Sequence, residues 1–355
     1  MTIDNAADQL LGRTLSTGWE VFEKLEKGEN STGGCFSICY KAKKVINGKE
    51  HICFLKAFDF LKFFEMSPGS SVIDSIAEMT NSFRYERDIS NVCKDRHITK
   101  VVIVKEANEE SIPGFSIPVV PYLIFDLAVC DIRHKLSFSH SNEVVWKFQS
   151  LHSIVTGLKQ LHQNFISHQD LKPSNILVFD EEHRIGDLGR SQSIVHNSPF
   201  NYAPYSGDFS YAPPEILYGA YSNDWNQRAF AIDLYLFGSL SVFYFTGLTM
   251  TSLILDNIPR EFKWDVWQGN FDQVSDYLID GFSIAVSIIK SELIPLIGDN
   301  TISQDFITSI EQLCNPIPSR RGHPKNKTTL GNQYSLERFV SLFNLLYFRI
   351  RYNKR

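Results

Sequence analysis

The sequence predicts an α+β fold in two lobes, a smaller β-rich one followed by a larger helical one. Two observations carry this expectation. Residues from about 19 to 125 alternate in polarity and are rich in β-branched side chains, whereas from Ser141 onward apolar residues recur at helical spacing. The 355 residues suffice for one large domain or two lobes, and no repeat, low-complexity tract or long linker divides them otherwise.

Within the first part, "FSICYKAKKV" and "GKEHICFLKAF" read as two strands joined by a hairpin turn at Asn47-Gly48. The polar stretch "DSIAEMTNSFRYERDISNV" is helix-compatible, and "KVVIVKEA" and "PYLIFDLAV" read as buried strands. In the second part, Val144, Phe148, Leu151, Val155 and Leu158 form one apolar helix face, with Ser141 or Asn142 as its cap and Asn164 closing it. The uncharged run from Leu234 to Leu255 is long enough to cross a bilayer. Asp233 at its start and the diluting Gly238 and Gly247 favour a buried core helix, so no membrane span is expected. The last amphipathic pattern is "SLERFVSLFNLLYFRIRY".

Hydrophobic residues make up 43% and charged residues 21%, ordinary for a globular chain, and the formal charge of -5 argues against nucleic acid as a bulk electrostatic partner. Cys35, Cys39, Cys53, Cys93, Cys130 and Cys314 form no CxxC pair, which suits buried thiols in a reducing cytosol. The start "MTIDNAADQLLGRTL" lacks a basic end followed by an apolar core, so no secretory signal is expected and a cytoplasmic location is.

One short stretch is not explained by folding. "ISHQDLKPSNILVFD" crowds His168, Asp170, Lys172 and Asn175 between two strand-like runs, and "RIGDLGRS" follows with Asp187. Phosphoryl transfer from ATP needs oxygen ligands for Mg²⁺, a carboxylate beside the attacking hydroxyl and positive charge over the moving oxygens. Asp170 suits the hydroxyl, Asn175 and Asp187 the metal, and Lys172 the moving phosphate. Lys56 in "CFLKAF" suits the α- and β-phosphates, with Glu86 in the following helical stretch to orient it.

"HQDLKPSNIL" resembles the catalytic loop H-R-D-L-K-x-x-N of the eukaryotic-type serine/threonine protein kinases. "DLG" stands for D-F-G, and "YAPPEIL" resembles the A-P-E segment with Glu215 as its acid. "DLYLFGSL" resembles the buried central helix, and "NPIPSRRGHP" resembles the late motif whose arginine, here Arg321, pairs with that acid. The resemblance runs from about Glu20 to Pro324, and this order and spacing of motifs is highly specific. It implies a bilobal protein-kinase-like fold: an extension over 1–19, a kinase domain over 20–324 divided near 125/126, and a helical extension over 325–355. It implies ATP and Mg²⁺ as cofactors, a protein as acceptor, and serine or threonine as the modified residue. The adenine would lie on the hinge from Asp126 to Ala128, with Phe125 behind it and Leu177 in the nucleotide-binding set. Asp233 would tie down the catalytic loop.

One loop and three single positions depart from the family pattern. In "TGGCFSIC" only Gly34 falls on a glycine position of the nucleotide loop, Thr32 and Ser37 replace the first and third glycines, and Cys39 takes the valine place. Phe54 replaces a small alanine above the adenine, which reshapes the nucleotide pocket. Gln169 replaces an arginine that reads an activation-segment phosphate, at a position expected to be partly exposed. Asp208 replaces a threonine beside Asp170, and would repel it unless Lys172 lies between them. Ser191, Ser193, Ser198, Tyr202, Tyr205 and Ser206 are candidate autophosphorylation sites. Two other functions stay open. One is a pseudokinase that binds nucleotide or partners without transfer, favoured by Ser37, Phe54 and Asp208. The other is a small-molecule phosphotransferase, disfavoured by Lys172 and "YAPPEIL".

Overall fold

The computed structural model describes residues 5–26, 37–66, 71–136, 143–180, 182–329 and 331–353. The N-terminal lobe is an antiparallel sheet of β1 (Glu20–Lys24), β2 (Ser37–Ile46), β3 (Lys49–Phe58), β4 (Val104–Ser111) and β5 (Val119–Asp126), in the spatial order β1-β2-β3-β5-β4. Asn47 and Gly48 turn the β2–β3 hairpin with φ of 51° and 75°, the two positive angles that a tight hairpin needs. Alternation along the strands then sorts the two faces. Tyr40, Leu55 and Tyr122 pack under Ala7, Leu10 and Trp19 of the N-terminal segment. Phe58 and Leu123 face the other way and meet Met79 and Phe83. Those last two belong to α2 (Val72–Asp95), which follows the short α1 (Phe60–Met66) and is capped by the Ser71 side chain. Lys56 pairs with Leu123 in the ladder and so points to the α2 face.

The stretch "KVVIVKEA" is not a strand from its start. Regular pairing begins at Val104, while Val101 bridges Ile185 and the Val102 amide donates to the Ile185 carbonyl. That backbone therefore ties the lobes together before it enters the sheet.

The C-terminal lobe opens with β6 (Cys130–Asp131), α3 (Ile132–Lys135) and α4 (Glu143–His162). The five predicted face residues of α4 are all buried in the main core. The proposed caps Ser141 and Asn142 lie outside the described residues. Asn164 closes the helix through its side chain, which donates to the Gln160 carbonyl, while the positive φ falls on Phe165 at 55°. Four short strands follow: β7 (Ile166–Ser167), β8 (Ile176–Phe179), β9 (Glu182–Ile185) and β10 (Gln192–Ser193). They pair as β10-β7 and β6-β8-β9, and hold the catalytic-loop motif between them.

Next come α5 (Pro214–Leu217), α6 (Trp225–Thr246), α7 (Met250–Asp256), α8 (Phe271–Ile297), α9 (Asn300–Cys314), α10 (Pro324–Lys327) and α11 (Glu337–Asn353). The uncharged run from Leu234 to Leu255 is thus two helices. Gly247, at φ 73°, ends α6, and the Thr249 side chain caps α7. α6 is long and apolar enough to cross a membrane, but it is the buried axis of the lobe. A Cβ on Gly238 would lie 2.4 Å from Cys314 Sγ, so this glycine sets the close approach of α6 and α9. α11 packs against α4 and α9, and Phe339, Phe343, Leu346 and Ile350 join the same core.

Candidate active site

A cavity of about 560 Å³ lies between the lobes, a size suited to a nucleotide. Lys56 on β3 is its cationic anchor. Its Nζ donates to both oxygens of Glu86 at 2.9 Å and to Asp187 Oδ1 at 3.1 Å. Glu86 reaches it from α2 and Asp187 from the turn after β9, so three distant segments converge. Burial alone would pull the Lys56 ammonium down, yet the Asp187 and Glu86 carboxylates outweigh it and hold its pKa well above the ordinary value. Burial also opposes ionisation of Asp187, but Lys56 dominates and keeps its pKa low. Asp187 itself stands at φ 58°, left-handed for a non-glycine residue, which aims its carboxylate at Lys56. Gly189 keeps the space clear, since a Cβ there would meet Glu86 Oε2 at 3.0 Å.

The second cluster is the catalytic-loop motif. Asn175 Nδ2 donates to the Asp170 carbonyl at 2.7 Å and to its Oδ2 at 3.0 Å. Lys172 Nζ lies 3.2 Å from Asp170 Oδ2 and 3.3 Å from Asp208 Oδ2, so the lysine does stand between the two carboxylates. Burial pushes the Asp170 carboxyl up, with Lys172 pulling it back. The loop is held from beneath by Asp233 on α6. Its oxygens accept from the His168 and Gln169 amides at 2.8 Å each, and one also meets His162 Nε2 at 2.8 Å. His168 Nε2 contacts the Gly186 carbonyl, which links this loop to the Asp187 turn. Further down, Arg321 and Glu215 form a buried double contact at 2.8 and 2.9 Å.

Phe54, Phe125, Asp126, Ala128 and Leu177 line the cavity with Lys56, Glu86, Asn175 and Asp187. Phe54 and Phe125 sit opposite each other on β3 and β5, with ring centroids 6.2 Å apart. Gly34 lies outside the described residues. Asn175 and Asp187 bring two oxygen-bearing groups to one wall, the donor type that Mg²⁺ takes when phosphates and water complete its shell. Among the described residues no cluster of three or more His, Cys, Asp or Glu side chains forms a metal site by itself.

Two expectations need correction. Gln169 is fully buried rather than partly exposed, because its amide turns inward to Ser167 Oγ and the Ala229 carbonyl. The cysteines are not all core thiols: Cys39 and Cys130 are half-buried and line the cavity. Of the candidate phosphorylation sites, Tyr202 is 99% exposed, while Ser191, Ser193, Ser198, Tyr205 and Ser206 are buried.

Several positioning groups carried no sequence signal. Arg190 donates to the Ser206 carbonyl, and Tyr205 donates to that of Asp208. Asp131 caps α3 and grips Arg133 at the cavity wall. Only the folded chain brings these partners together.

A family model for the protein kinase domain matches residues 70–327, well over half of the chain. A protein described as probable cyclin-dependent kinase 8, from Dictyostelium discoideum, is 31% identical over 132 residues, which cover 34% of this chain and 33% of that protein. Cyclin-dependent kinase E-1 of Arabidopsis thaliana is 32% identical over 132 residues, covering 34% of this chain and 27% of the relative. The match thus spans a third or less of these relatives' own length.

Proposed function

The chain belongs to the protein kinase domain family, and from that premise we propose that it transfers the γ-phosphoryl group of Mg-ATP to a serine or threonine hydroxyl of a protein. The observation that carries the reading is the convergence of Lys56, Glu86 and Asp187 on one wall of a nucleotide-sized cavity, with the Asp170–Asn175 pair adjoining it. The relatives named as cyclin-dependent kinases support the serine/threonine assignment.

In this mechanism Leu177 and the hinge from Asp126 to Ala128 bind the adenine, the Phe54 ring narrows the space beside it, and Lys56, oriented by Glu86, holds the α- and β-phosphates. Asn175 and Asp187 would hold Mg²⁺, which would supply charge neutralisation for the phosphates. Asp170 faces the acceptor hydroxyl and takes or orients its proton. Burial raises the proton affinity of this carboxyl, which suits it to that task. Lys172 offsets charge on the moving phosphoryl group. The bond from γ-phosphorus to the ADP oxygen breaks as the bond to the acceptor oxygen forms, and ADP leaves with the electron pair. A cytoplasmic setting is part of the same reading.

One observation favours nucleotide binding without transfer: Lys172 is shared with Asp208. Intact mass after incubation with Mg-ATP, beside Asp170→Asn, separates the two readings. Phosphate-sized gains in the wild type alone are expected. Nucleotide binding with no gain in the chain or in an added protein acceptor would overturn the transferase reading.

A further inference from the structure

The Lys172 side chain is 4% exposed, and its ammonium has two carboxylate neighbours at nearly equal distance, Asp170 at 3.2 Å and Asp208 at 3.3 Å. Asp208 is not a loose surface acid. Its Oδ1 accepts from the Ser210 amide at 3.0 Å and from Ser210 Oγ at 2.6 Å, as the cap of the turn Phe209–Tyr211. Its own amide donates to Asp170 Oδ1 at 3.0 Å, and Tyr205 Oη donates to its carbonyl at 3.0 Å. The preceding Gly207 lies so close to the catalytic loop that a Cβ would fall 2.1 Å from the Gln169 carbonyl. Asp208 Oδ2 is thereby left facing Lys172. Burial opposes its charge, but Ser210 and Lys172 together hold its pKa below the ordinary carboxylate value, so it stays ionised at neutral pH.

We propose that Asp208 is a positioning residue that acts as an electrostatic brake, competing with the transferring phosphoryl group for Lys172. The inference rests on the transfer reading above. Lys172 can serve the γ-phosphoryl oxygens only by loosening its contact with a carboxylate that cannot follow it. The phosphoryl group in transfer and Asp208 are both anionic, so in the transition state the one gains Lys172 at the other's cost. Lys56 and the hinge are separate from this contest, and ATP binding is therefore not affected by it.

The test is steady-state transfer from Mg-ATP to dephosphorylated casein by wild type, Asp208→Asn and Asp208→Thr, with melting temperatures recorded alongside. Asparagine keeps an acceptor for Ser210, and threonine removes the charge with a different shape. The expected result is a kcat about tenfold higher in both, about 1.4 kcal/mol of barrier, with KM for ATP within about twofold of wild type. A kcat that is unchanged or lower in the two folded variants overturns the brake while the kinase reading stands. Loss of folding in both variants also overturns it, since Asp208 would then be structural. Absence of transfer from the wild type and from both variants, with Mg-ATP still bound, defeats the kinase reading itself and is distinct from the other outcomes.

Discussion

The molecule places two lysines between pairs of carboxylates, Lys56 between Glu86 and Asp187, and Lys172 between Asp170 and Asp208. The contacts differ in kind. Lys56 is gripped by both oxygens of Glu86 at 2.9 Å and draws its partners from β3, α2 and the turn after β9. The Lys172 cluster lies wholly in the C-terminal lobe, and both of its contacts are longer, at 3.2 and 3.3 Å. The first arrangement closes one lobe on the other and sets a fixed charge for a nucleotide. The second is an even division of one charge, easily tipped by a third anion. A lysine between two acids can therefore be an anchor or a balance, and the surrounding geometry decides which.

The largest effect should come from Asp187→Asn, which removes the charge shared by Lys56 and the expected metal. Transfer should fall more than about a thousandfold while the fold persists. Normal turnover in a phosphate-release or mass assay would remove Asp187 from the metal set.

A second effect separates the charged clusters from general burial. His183 is fully buried beside Trp146, and both its ring nitrogens lack a partner. Burial, aided by Lys100 and Lys135, lowers its pKa from 6.5 to about 4. The folded state thus favours the neutral ring. Its contribution to stability is full above about pH 6.5 and is lost as pH falls from there to about 4, a change of roughly 3 kcal/mol. Denaturation curves for His183→Phe should lack that part of the pH dependence. An unchanged slope between wild type and variant would contradict the assignment.

The smallest effect concerns the nucleotide side alone. Phe54→Ala opens the wall facing Phe125 and should lower KM for ATP roughly tenfold, with kcat nearly constant. A raised KM would show instead that the ring holds the adenine.

Much of the first cluster was legible in the sequence. Lys56 lies in a run that alternates as a strand, Glu86 in a helix-compatible stretch, and Asp187 in a motif at a set distance from Asn175. Asp233 and Arg321 were legible for the same reason, since a buried charge needs a partner and the motifs named both partners. The second cluster was legible only as a condition: the sequence showed that Asp208 needed Lys172 between it and Asp170, but not that the lysine is shared evenly. Tyr205 and Arg190 escaped because their hydrogen bonds go to backbone carbonyls, which no residue pattern marks. The break after Thr246 escaped because an apolar run hides a helix end, and only Gly247 at positive φ reveals it. Gln169 was misjudged because its burial depends on the inward turn of one amide.

The most direct measurement is single-turnover transfer by Lys172→Met with Mg-ATP affinity determined on the same preparation. If Lys56 is the anchor and Lys172 the balance, Mg-ATP should bind as it does to the wild type while transfer falls at least about a hundredfold. Transfer at the wild-type rate, or loss of nucleotide binding in a folded protein, would contradict that division of labour.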